Sequence, residues 1–202
     1  MSFLASSTAL LLSFILLTYT KMILKKCSAA AALLGILCLA GHMGTMCFSL
    51  FTGWYVLDLC KGLAHLTLYC IAVHALLSVC SIFFLHDGAD NVYKKENRRW
   101  IFQRATAILI VLLLHAHTRA YGHMATGEVL TWWEAFLYCC SEVLYIASVT
   151  VHAAVSFSRA FITFGWVQSK KAVRRIDRGA GAVCGAAGVC AAVAVIRFFL
   201  GV

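Results

Sequence analysis

Residues 131–164 read TWWEAFLYCCSEVLYIASVTVHAAVSFSRAFITF, with Glu134, Glu142 and Arg159 as the only charged side chains. A helix of that length rises about 50 Å, more than the roughly 30 Å hydrocarbon core of a bilayer. Steps of three, four and seven from His152 select Ser141, Tyr145, Ser148, Ser156, Arg159 and Thr163, which sets them on one helical face. A polar stripe that long on an apolar helix turns toward a bundle interior, away from lipid.

The rest of the chain repeats this design. Of 202 residues, 62% are hydrophobic and 12% charged, where a soluble domain carries roughly twice that charged fraction. Lipid must therefore solvate much of the surface. Apolar stretches at 28–52, 56–85, 99–121, 131–164 and 178–201 are each long enough to cross as a helix. The fold class expected is all-α, an integral membrane bundle of five transmembrane helices forming one domain over 28–202. Residues 1–27 hold a further apolar helix. Its basic residues follow the hydrophobic run, opposite to a secretory signal peptide. It forms either a sixth span with its N-terminus outside or a helix on the membrane surface; an extra membrane-embedded helix is the expectation.

The net charge of +9 is not spread evenly. Lys21, Lys25 and Lys26, then Lys94, Lys95, Arg98 and Arg99, then Lys170, Lys171, Arg174, Arg175 and Arg178 fall at every second membrane boundary, the positive-inside pattern. Asp58 with Lys61, and Arg119 with Glu128, mark the alternate side. This charge sets topology, and without a soluble basic domain it argues against nucleic acid. Most of the ten cysteines sit within apolar stretches, where they pack as small hydrophobes. No Cys-x-x-Cys-His occurs, so covalent haem attachment is not expected. Gly179, Gly181, Gly185 and Gly188 give the last span a small-residue surface for close helix contact.

Of eight histidines, His42, His74, His117 and His152 lie well inside successive spans. One such residue could simply bond a neighbouring carbonyl; four at matched depths ask for a common explanation. His74 and His152 each lie thirteen residues from the inner end of their spans, about 20 Å deep. His42 and His117 follow Lys26 and Arg99 by 16 and 18 residues, about 24 and 27 Å. The four sort into an inner pair on spans two and four and an outer pair on spans one and three. Two haems, each bound by two imidazoles, need that arrangement. Around His74 the helical steps select Thr67, Cys70, Ser78 and Ser81, and around His42 Gly35, Cys38, Thr45 and Ser49. Small residues there leave room for a flat macrocycle, although ordinary close packing uses the same residues. Ser28 and Gln103 lie fourteen positions before His42 and His117, about 21 Å nearer the cytoplasm. That level suits hydrogen bonds to propionates of an inner haem, with Lys26, Trp100 and Arg104 adding charge or donors. His115 points nearly opposite to His117 and remains a substitute ligand; His65 and His123 lie near the outer boundary.

Four segments carry a family resemblance. NRRWIFQRATAILIVLLLHAHTRAYG (97–122), YIASVTVHAAVSFSRAFITFGW (145–166), CIAVHALLSVCSIFF (70–84) and KKCSAAAALLGILCLAGH (25–42) resemble the ligand helices of the five-helix dihaem cytochrome b subunits of bacterial succinate:quinone and fumarate oxidoreductases. The resemblance implies two haem b groups, His74 with His152 nearer the dehydrogenase and His42 with His117 distal. It implies a multi-pass protein of the bacterial cytoplasmic membrane, in contact with lipid. A flavoprotein and an iron–sulfur subunit would dock on its basic cytoplasmic loops. Electrons would pass between their iron–sulfur clusters and a quinone (menaquinone or ubiquinone). Ser28, Gln103 and Trp100 match family positions that contact propionates. The chain would be an enzyme subunit without a dicarboxylate site of its own. Thr150 stands where some members carry a glutamate for proton transfer, and Ser156 replaces a common glycine. Residues 1–24 have no counterpart, and the loop between the first two spans is short.

Quinone chemistry couples electrons to protons and needs a polar group near the outer haem. Asp58, with Trp54 nearby, is the leading candidate, and Glu128 and Glu142 follow; Asp58 as a plain helix cap is the competing account. Two other functions stay open: a dihaem quinol-oxidising subunit of another respiratory reductase, and a haem-free channel or transporter whose histidines carry protons or metal.

Overall fold

A computed structural model describes the backbone of residues 2–85, 95–126 and 129–201, with side chains over 16–81, 98–122 and 129–201. These residues form α1 (Ser2–Thr52), α2 (Leu57–Leu85), α3 (Lys95–Thr126), α4 (Trp132–Thr163) and α5 (Lys170–Leu200). No strand occurs among the described residues. All five are long and apolar enough to cross a membrane. Large apolar side chains such as Leu37, Val111, Leu112 and Val183 remain exposed, as lipid-facing surfaces require.

Local chemistry sets the helix ends. α1 stops at Gly53, whose φ of 73° only glycine adopts without strain. α4 starts with a capping box: the Thr131 hydroxyl accepts from the Glu134 N–H, and Glu134 Oε2 accepts from the Thr131 N–H at 2.8 Å. It ends where Trp166 N–H reaches Phe161 O at 3.0 Å around Gly165, φ 77°. Ser169 caps α5.

Two expected boundaries shift. α5 begins at Lys170 rather than 178, because the Ser169 side chain caps the helix there and its basic first turns stay helical. The N-terminal segment does not form a separate helix. α1 runs unbroken through Lys21, Lys25 and Lys26, about 76 Å of continuous helix. No turn intervenes to send residues 3–24 back across the bilayer as a hairpin span.

The bundle has two parts. α1 packs along α2, while α4 packs along both α3 and α5; α1 also crosses α4 and α5. Among the described residues the backbones of α1 and α3, of α2 and α3, and of α2 and α4 do not approach closely. Small residues close the packed seams. A Cβ on Gly35 would lie 3.3 Å from Cys70, one on Gly41 3.2 Å from Leu63, and one on Gly188 2.5 Å from the Thr150 hydroxyl. Gly179, Gly181 and Gly185 face open space, so of the expected glycine surface only Gly188 makes a tight contact.

Candidate functional site

The backbone gaps are where the histidines meet. His42 of α1 and His117 of α3 have ring centroids 6.3 Å apart, with ring planes at 81°. An imidazole nitrogen lies about 1.1 Å from its centroid and binds a first-row metal at about 2 Å, so two imidazoles on opposite sides of one metal stand about 6 Å apart. His74 of α2 and His152 of α4 come within electrostatic reach of each other. Each pair thus joins helices whose backbones stand apart. All four rings are partly buried.

Each ring is held by the same atom. His74 Nδ1 donates to Ser28 O at 3.0 Å and lies 3.0 Å from the Ser28 hydroxyl, which is itself 3.1 Å from the Ser78 hydroxyl. His152 Nδ1 donates to Gln103 O and to the Thr106 hydroxyl oxygen, both at 3.1 Å. His42 Nδ1 donates to Cys60 O at 3.2 Å, with Cys60 Sγ at 3.3 Å. His117 Nδ1 donates to Glu142 Oε2 at 2.8 Å. A carbonyl only accepts, so the proton in each carbonyl-held ring sits on Nδ1. The Nε2 lone pair is left free, and no protein hydrogen bond engages Nε2 of any of the four among the described residues. Four Nε2 acceptors on rings of fixed orientation could serve as metal ligands. No group of three or more metal-ligating side chains forms among the described residues; an axial pair needs only two.

The outer pair has aromatic company. Tyr145 stacks on His117 with centroids 4.7 Å apart, and Tyr121 meets the ring edge at 5.2 Å. Glu142 is 1% exposed, and its second oxygen, Oε1, is buried without a hydrogen-bond partner.

The other expected residues are distributed as follows. Ser28 and Gln103 sit at the inner level, where their carbonyls hold the inner histidines; the Gln103 amide donates to the Ser156 hydroxyl at 3.0 Å. Arg104 lies 3.9 Å over the Trp100 ring, and Lys26 is half-buried nearby in sequence. Asp58 lies exposed in the first turn of α2, and Trp54 is 72% exposed beside Phe48; no contact joins either to the outer pair among the described residues. His65 and His115 are exposed. Glu128, His86 and the His123 side chain lie outside the described residues.

Sequence reasoning missed three participants. The fourteen-residue offset that singled out Ser28 and Gln103 also leads from His74 back to Cys60, so the Cys60 carbonyl was within reach of the same rule. Glu142 stood only among quinone candidates, since nothing local ties it to His117. Arg99 was counted as loop charge. It donates to Asp177 through two bonds of 2.8 Å, to the Ser158 hydroxyl at 2.9 Å and to Val155 O at 2.6 Å, clamping α3, α4 and α5 at the inner end.

Compared with models of known families, with curated proteins and with solved structures, the chain matches none. Established here is an all-helical protein whose five helices are long and apolar enough to cross a membrane. Within it, four partly buried histidines are each held through Nδ1, and His42 approaches His117 to 6.3 Å.

Proposed function

We propose that this chain is the membrane-anchoring, dihaem cytochrome b subunit of a succinate or fumarate:quinone oxidoreductase in a bacterial cytoplasmic membrane. The observation that carries the reading is the approach of His42 and His117 to 6.3 Å across a gap between helices, each with Nδ1 occupied and Nε2 free. His74 and His152 are likewise held through Nδ1, by backbone carbonyls of α1 and α3. Bound haem b would supply the one-electron redox chemistry at each level. The chain's own residues fix ring orientation and tautomer. Cys60, Ser28 and Gln103 do so through backbone oxygen, and Glu142 through a carboxylate.

The inner ends of the helices carry the basic residues that suit docking of acidic partner surfaces. Five of them, Lys170, Lys171, Arg174, Arg175 and Arg178, line one recess at the start of α5. A flavoprotein and an iron–sulfur subunit would dock on this side, and the quinone would exchange electrons near the outer pair. Asp58 and Trp54, both open to the surroundings at the start of α2, are the proposed quinone contacts.

The deciding experiment is a reduced-minus-oxidised visible spectrum of the purified protein with haem quantified per chain. Two haems b with sharp reduced bands, and co-purification of a flavoprotein, are expected. A colourless preparation overturns the proposal. Two haems with a molybdenum- or thiol-dependent reductase as partner would select the other respiratory reading.

A further inference from the structure

Three of the four histidines obey one rule. The helix that supplies a histidine also supplies, fourteen residues earlier, the backbone carbonyl that holds another: Ser28 before His42, Cys60 before His74, Gln103 before His117. The fourth position breaks the rule. α4 should hold His117 with the carbonyl of Tyr138, fourteen residues before His152; instead it uses the side chain of Glu142. That carboxyl is 1% exposed, and its Oε1 has no partner. Its Oε2 lies 2.8 Å from His117 Nδ1, so in the ionised form its charge acts on that ring through a single hydrogen bond.

We propose that Glu142 is a positioning residue that lowers the reduction potential at the outer site, an inference that rests on the dihaem reading above. Two effects act in the same direction. A carboxylate accepting the Nδ1–H makes His117 a more basic ligand than a neutral carbonyl does. A fixed negative charge at this depth, weakly screened, stabilises the more positive oxidised centre. Both effects act on the His42–His117 level alone, because the inner rings donate to neutral oxygens.

The test is a redox titration of the intact complex, native and Glu142→Gln, followed at the reduced haem bands, with haem counted per chain. Glutamine keeps an acceptor for Nδ1 and removes the charge. The expected result is two haems retained, one midpoint potential shifted upward and the other unmoved. Glu142→Asp, which keeps the charge on a shorter arm, is titrated alongside and should shift the same potential upward by less. If glutamine prevents assembly, the aspartate variant alone decides. Retained haem with both potentials at their native values in every variant that assembles overturns the inference and leaves the dihaem reading standing. A colourless native complex overturns both.

Discussion

The inner and outer histidine pairs are built from the same four helices, yet they are held differently. At the inner level both rings donate to backbone carbonyls, each with a hydroxyl alongside: Ser28 for His74, Thr106 for His152. At the outer level one ring donates to a carbonyl beside a thiol, and the other, flanked by two tyrosines, bonds a buried carboxyl. Backbone carbonyls are neutral and locked into their helices, so the inner level is a rigid mount. The outer level instead uses an ionisable side chain, Glu142, which neither inner mount has.

That comparison breaks most directly at the ligands. On the proposed dihaem reading, replacing His74 and His152 together by alanine should lower bound haem from two per chain to one, and replacing His42 and His117 should do the same with the other spectral species lost. Retention of both haems in either variant would show that the paired rings are not the ligands. Next in size is the clamp beneath the inner level. Arg99→Ala removes four hydrogen bonds and leaves Asp177 without its ion pair. It should cost about 3 kcal/mol, seen as a lower thermal midpoint of the detergent-solubilised protein. Haem at the inner level should be released first on heating, since Gln103 and His152 sit one turn from the clamp.

A smaller effect tests the seam between α4 and α5. Gly188→Val would drive its side chain into the Thr150 hydroxyl, which already stands 2.5 Å from where a Cβ would be. A loss of roughly 2 kcal/mol is expected. Combining it with Thr150→Ala should recover part of that loss, and strict additivity would mean the two do not touch. The smallest change expected is Ser28→Ala. The hydroxyl bonds to His74 and Ser78 are lost, but the Ser28 carbonyl still holds Nδ1. A cost of about 1 kcal/mol with no loss of haem would sharpen the view that the backbone, not the hydroxyl, mounts the inner ring.

Much of this was legible before the structure. Spans two to four appear within a few residues of where hydropathy put them, because length and apolarity are properties of the segment alone. The two depth levels followed from counting residues at a fixed rise. The start of α5 was not legible, since a basic run reads as loop until Ser169 is seen capping a helix. Nor was the continuity of α1 through three lysines. Arg99 and Asp177, seventy-eight positions apart, gave no local sign of their pairing.

The sequence by itself determined where five helices could cross, which histidines share a depth, and that Ser28 and Gln103 stand four turns inward of two of them; it did not settle whether residues 1–27 add a sixth. All of these are repeats along a single helix, so the rise and pitch of that helix suffice to read them. Only the tertiary structure decided that Cys60 rather than a side chain of its own helix holds His42, and that a glutamate breaks the pattern at His117. Those choices depend on how far each helix is rotated and how closely it packs, which Gly35, Gly41 and Gly188 set by contacts with residues remote in the chain.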